Sequence, residues 1–190
     1  MRLKMHPWAL FYSAGVVEWY NASLPRMSRG FDSPHPLQKM TENKRLGIEE
    51  IYQTIPHRRP FMFLESAEVV DLGRLATGQL TDLSHQDFSF LKAHFPNDFI
   101  VPGAILMEAL AELSGIAAIW GLETEDKLIG VLVADKMRYR QMVRPGEEVQ
   151  LEAEIIGKRK IFWRSKVKAF KDGKLAVEGE ITFALINQLS

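Results

Sequence analysis

The sequence predicts an α+β domain in which an antiparallel sheet wraps one long, buried helix. Two patterns carry that expectation. Residues 103–120, GAILMEALAELSGIAAIW, are apolar on every face except for Glu108, Glu112 and Ser114, and a helix that is apolar all round has to be covered on all sides. Around it lie strand-like runs, at 61–71 and 74–82 before the helix and at 127–134, 148–157, 160–171 and 174–186 after it. In one of them Val149, Leu151, Ala153 and Ile155 alternate with polar residues, the pattern of a sheet with one wet face.

Element by element, Leu46, Ile48, Ile51, Tyr52 and Ile55 recur at helical spacing until Pro56 stops them. The first two strands flank Leu72-Gly73, and residues 84–102 read as loop. Pro102-Gly103 opens the long helix and Gly121 follows its end, the usual asymmetry of helix termini. Lys171-Asp172-Gly173-Lys174 is a hairpin signal, because Asp-Gly suits a type I′ turn. Several long antiparallel strands around one buried helix make the hot-dog fold.

The 190 residues suffice for one well-packed domain. Lys and Arg total 24, as do Asp and Glu, so no basic face points to nucleic acid. Cys is 0, which excludes disulfides, thiolate metal ligands and a cysteine nucleophile and agrees with a cytoplasmic location. No stretch reaches the roughly 18 apolar residues of a membrane span. Residues 1–39 differ from the rest, with a basic start, a short apolar run from Trp8 to Val17 and prolines at 7, 25, 34 and 36. Arg29-Gly30-Phe31-Asp32-Ser33-Pro34 can be encoded by a tRNA T-arm sequence. The expectation is a leader without function, an upstream tRNA gene read as protein, with the working start at Met40 and the domain over 40–190.

His94 and Glu108 are the candidate catalytic residues. Imidazole is a general base near neutral pH, and a carboxyl in apolar surroundings keeps its proton more readily and can act as an acid. Glu112 lies one turn beyond Glu108 on the same helix face. The helix start at Gly103 and Ala104 offers unpaired N–H groups and the positive dipole end, with no side chain on Gly103 to block a substrate carbonyl. A base, an acid and an oxyanion donor suit proton abstraction next to a thioester carbonyl with loss of a β-hydroxyl as water.

Four ordered motifs then resemble the FabZ-type (3R)-hydroxyacyl-[acyl-carrier-protein] dehydratases, over about residues 46–187. They are Ile55-Pro56-His57-Arg58-Arg59-Pro60-Phe61, His94-Phe95-Pro96, Val101-Pro102-Gly103 with Glu108-Ala109-Leu110-Ala111, and Asp135-Lys136-Met137-Arg138-Tyr139-Arg140 with Val143 and Pro145-Gly146. The separation of 14 residues between His94 and Glu108 matches the family. The resemblance implies a hot-dog fold and paired protomers, in trimers of dimers in many bacterial members, each site combining His94 of one protomer with Glu108 of the other. It implies that His94 takes the C2 proton, Glu108 helps the C3 hydroxyl leave, and the Gly103 N–H binds the carbonyl. It implies no metal or organic cofactor, since the phosphopantetheine belongs to the acyl carrier protein partner. FabA-type dehydratase/isomerases have Asp at the position of Glu108.

Three positions depart from the family pattern. Asn97 replaces a glycine, and is expected to tolerate left-handed backbone there. Glu112 replaces a glutamine beside the acid, and Glu65-Ser66 replaces an acidic-basic pair, which is expected to weaken an ion pair. His57 reads as a structural hydrogen-bonding residue and His85 as a loop residue. Phe88, Phe90 and Phe95 read as core or tunnel wall, and Met107 and Leu110 as core. Arg138, Arg140, Arg144 and Lys158-Arg159-Lys160 read as solvated face or as a receiving surface for an acidic carrier protein. The competing functions are a hot-dog acyl thioesterase, which would use a carboxylate and water, and a non-catalytic acyl-binding module.

Overall fold

The computed structural model describes residues 43–122 and 127–187. The expected leader, 1–39, lies outside them. The chain order is β1 (Lys44–Leu46), α1 (Ile48–Thr54), β2 (Leu64–Asp71), β3 (Leu75–Leu80), a 3₁₀ segment (Gln86–Ala93), α2 (Gly103–Ile119), β4 (Leu128–Tyr139), β5 (Val149–Arg159), β6 (Phe162–Lys171) and β7 (Lys174–Asn187). The seven strands form one antiparallel sheet in the order β1-β2-β3-β5-β6-β7-β4. Helix α2 packs against β5, β3, β2, β6 and β4. This is the predicted architecture, an antiparallel sheet curled around one central helix.

The sheet wraps because its inward positions are apolar. Val149, Leu151, Ala153 and Ile155 are all buried, and their polar neighbours point out. Leu106, Ala109, Leu110, Leu113, Ile116 and Ala117 of α2 are at most 2% exposed and fill the trough. Two hydroxyls cross this core as a satisfied pair. Ser114 donates to the Leu110 carbonyl (2.8 Å) and meets Ser165 at 3.0 Å. The helix stops where foreseen, because Gly121 has φ 79° and a Cβ there would lie 2.5 Å from Leu72 Cδ1. The Asp172-Gly173 turn also forms, with φ of 51° and 70°.

Several expectations need correction. Leu46 belongs to β1, paired to Ala67, and not to the first helix. The stretch read as loop contains the 3₁₀ segment Gln86–Ala93, started by His85, whose Nδ1 accepts the Asp87 N–H at 3.3 Å. Strand β4 runs on through the charged DKMRYR motif to Tyr139. It does so at an edge of the sheet, where alternate charged side chains stay in water. Among the described residues only β7 pairs with β4, and Val131 and Leu132 on it are 44% and 40% exposed. Glu65 keeps an ion pair, with Arg59 at 3.3 Å. Arg140 pairs with Glu178 and Arg144 with Asp98, and Lys158 lies over Trp163, all on the solvated face where these cations were expected.

Candidate active site

His94 closes the 3₁₀ segment, its N–H bonding the Leu91 carbonyl at 3.0 Å. Its Nδ1 lies 3.0 Å from the Ile100 carbonyl. A carbonyl can only accept, so the proton sits on Nδ1, and a neutral ring then carries its lone pair on Nε2. The loop turns sharply after it, with the Asp98 N–H returning to the Phe95 carbonyl at 2.9 Å. The left-handed residue of this turn is Phe95 (φ 57°), not Asn97 as expected. Left-handed backbone costs an L-residue about 1–2 kcal/mol, so the rest of the loop holds Phe95 there. Phe88 is core, as expected, whereas Phe90 and Phe95 are 47% and 57% exposed in the single chain.

Gly103 is the first residue of α2, and Pro102 caps it without a side-chain bond. The Pro102 carbonyl receives the N–H groups of Ile105 (2.9 Å) and Leu106 (3.4 Å). The amides of Gly103 and Ala104 therefore stand ahead of the first intrahelical bond, where a helix presents its free donors. Gly103 also leaves room for a close side chain. A Cβ would meet Cε1 and Cζ of Tyr139 at 2.9 Å. Tyr139, from the DKMRYR motif, thus roofs the helix start.

Glu108 is on the next turn, facing His57 and not His94. His57 Nε2 lies 3.5 Å from Glu108 Oε1, both side chains about three-quarters buried. His57 was expected to make a structural hydrogen bond. Instead its Nδ1 is buried with no partner among the described residues, and its other nitrogen addresses the acid. Together with Glu112 they border a cavity of about 120 Å³, also lined by Ile55, Ala111, Leu132 and Phe183. His94 does not line it.

Glu112 is 2% exposed, and the Phe63 N–H reaches both its oxygens, at 2.9 and 3.2 Å. Burial pushes its carboxyl up to about 8, and the charge of Glu108 adds to this, while the Phe63 N–H and Arg59 pull it back. Donor atoms of His57, Glu108 and Glu112 lie within 4.8 Å of one another, close enough to hold a cation. The chemistry of the set is unfavourable to one. Glu112 already accepts the Phe63 N–H, and the His57 Nδ1 lacks the acceptor that orients a metal-binding imidazole.

A family model described as the FabA-like domain matches residues 55–180. The chain belongs to the FabA-like family. It is 35% identical over 140 residues to the 3-hydroxyacyl-[acyl-carrier-protein] dehydratase FabZ of Bacillus cereus (strain AH187), a match that spans 74% of this chain and 96% of the relative. The FabZ of Bacillus thuringiensis (strain Al Hakam) matches equally. Among solved structures, the dehydratase heterocomplex ApeI:P from Xenorhabdus doucetiae superposes with a TM-score of 0.61 at 17% identity, over 73% of this chain and 91% of that one. Cj0977, a sigma28-regulated virulence protein from Campylobacter jejuni, gives 0.55 at 16% identity, over 74% and 91%. At such identities these two speak for the fold alone. Among the described residues, no helix is long and apolar enough to cross a membrane.

Proposed function

We infer that this chain is a hydro-lyase that converts (3R)-3-hydroxyacyl-[acyl-carrier-protein] to the trans-2-enoyl thioester, in cytoplasmic fatty-acid synthesis. The observation that carries the reading is the identity to FabZ dehydratases over nearly their whole length. The orientation of His94 supports it. With Nδ1 held by Ile100, Nε2 is the nitrogen free to remove the C2 proton. The Gly103 and Ala104 N–H groups polarise the thioester carbonyl as the adjacent carbon gains electron density. Glu108 supplies a proton to the C3 hydroxyl, and the C3–O bond breaks to release water. The electron pair left by the C2 proton becomes the new double bond.

The site is completed by a second copy. Within one chain His94 does not border the cavity beside Glu108, and the 12-residue edge strand β4 carries exposed Val131 and Leu132. A long edge strand with exposed apolar residues is a surface that proteins pair or cover. Leu132 and Gly130 of that strand line the Glu108 cavity, so a copy docked along β4 meets the site. A homodimer, or a trimer of such dimers, puts His94 of one protomer opposite Glu108 of the other. The substrate arrives on the phosphopantetheine of acyl carrier protein.

The test is to incubate the protein with (3R)-3-hydroxyacyl carrier-protein substrates of several chain lengths and follow the products by mass spectrometry. The expected result is loss of water with the acyl group still on its carrier. Release of free acid would mean a thioesterase, and an unchanged but tightly held substrate would mean an acyl-binding module.

A further inference from the structure

The glutamate at position 112 is a departure from the family pattern, and the structure places it behind the acid rather than on the surface. Glu108 and Glu112 are one turn apart on the same helix face, and their carboxylate oxygens and the His57 ring all fall within 4.8 Å. We propose that Glu108 and Glu112 share one proton, that Glu112 stores it and that Glu108 delivers it. Glu112 is thus a positioning residue. The inference rests on the dehydratase reading for the destination of the proton, but not for its being shared.

Three observations lead there. First, Glu112 is almost wholly enclosed, and the donors that reach it are neutral backbone N–H groups, of Phe63 at 2.9 and 3.2 Å and, more weakly, of Leu64. Burial outweighs them, because neutral donors at the edge of an enclosed site do not offset a full charge removed from water. Second, two carboxyls this close cannot both ionise cheaply, so one retains a proton, and they titrate as a pair. Third, the His57 ring stands beside the pair, with Nε2 3.5 Å from Glu108 Oε1 and Nδ1 buried without a partner among the described residues.

The surroundings add few other charges. On the loop side the titratable groups facing Glu112 are His57 and, at longer range, Arg59. On its own helix it is Glu108. The cavity residues from β4 and β7, Gly130, Leu132 and Phe183, are uncharged. The cluster thus holds one negative charge and one transferable proton. During turnover the C3–O bond breaks and the hydroxyl leaves as water with the proton from Glu108. The C2 proton moves to His94 Nε2. The cluster has lost one proton and His94 has gained one, so return of that proton through water resets the site.

The carboxyls can be titrated directly, by NMR of protein carrying ¹³C-labelled glutamate carboxyls, in wild type, Glu112→Gln and Glu108→Gln. One carboxyl is expected to titrate near pH 8 in wild type, to vanish from the spectrum of Glu112→Gln, and to shift to lower pH in Glu108→Gln, where the like charge is gone. A Glu112 carboxyl titrating in the ordinary range, or unmoved by Glu108→Gln, would overturn the proposal. Kinetics give the second reading. Wild-type kcat falls above about pH 8 as the stored proton is lost, with KM unchanged, and Glu112→Gln lacks that descent. A purely structural Glu112 would leave the shape of the profile alone. Should wild type dehydrate no substrate while the carboxyls titrate as described, the functional reading fails and proton sharing stands.

Stability supplies a check free of substrate. A carboxyl whose folded value is raised favours folding below its unfolded value, about 4.5, and that contribution is lost as pH rises towards 8. The melting temperature of wild type should therefore fall more between pH 5 and pH 8 than that of Glu112→Gln. Parallel curves would contradict a protonated Glu112.

Discussion

Replacing His94 by Ala or Glu108 by Gln lowers kcat by about 10²- to 10⁴-fold, the usual contribution of a positioned acid or base. The fold survives both changes. Among the described residues His94 makes one side-chain hydrogen bond, to Ile100, and such a bond contributes only about 1 kcal/mol. Glu108 lies at the margin of its cavity, and its loss relieves the buried Glu112 of a like charge. The check is single-turnover enoyl formation, read beside a thermal melt and the oligomer size. A kcat within about threefold of wild type for either variant would remove that residue from the chemistry.

The largest stability effect is expected at the centre of α2. Leu113 is fully buried, and its methyl group lies 3.2 Å from where a Cβ on Gly78 of β3 would sit. The sheet approaches so closely that it has little room to collapse further. Leu113→Ala should therefore destabilise by about 3 kcal/mol, within the range for enclosed leucines, and lower the melting temperature by roughly 6–12 °C for a domain of this size. Met142→Ala is the control. Met142 is 62% exposed, and the change is expected to stay within about 0.5 kcal/mol. Equal effects in urea titrations of the two variants would contradict the placement of α2 at the core.

These effects trace back to what the sequence states strongly and what it states weakly. The central helix is legible because its apolar character runs round the whole cylinder, and only complete enclosure accommodates that. Strands β5 to β7 are legible from alternation and from the Asp172-Gly173 turn. Strand β1 is not, since Lys44-Arg45-Leu46 carries no period and exists by pairing with β2. The 3₁₀ segment is hidden for a similar reason. It is held by local hydrogen bonds and by Phe88 and Leu91 inserted into the core, with no repeating face. The charged half of β4 looks unlike a strand because it lies at an edge, where packing places little demand on its side chains.

The site divides in the same way. His94, Gly103, Ala104 and Glu108 stand out because their chemistry and spacing form one motif. The burial of Glu112 also follows from its apolar neighbours on α2. The approach of His57 to Glu108 is a tertiary contact between a loop and a helix far apart in the chain, and no local pattern encodes it. The left-handed Phe95 is equally concealed, because propensity favours Asn97 for that role. Tyr139 comes to lie over Gly103 only through the extension of β4.

The central claim is that one site is made from two copies of the chain, His94 from one and Glu108 from the other. It is tested most directly by mixing His94→Ala and Glu108→Gln protomers, each inactive alone, dissociating them and letting them reassemble in equal amounts. If pairing is two-fold, half of the dimers are mixed, and one of the two sites in each mixed dimer has both intact residues. About a quarter of the wild-type rate should return, simply from that pairing of protomers. If native mass spectrometry shows that mixed dimers have formed and no dehydration returns, His94 and Glu108 do not meet across the dimer, and the account of the site is wrong.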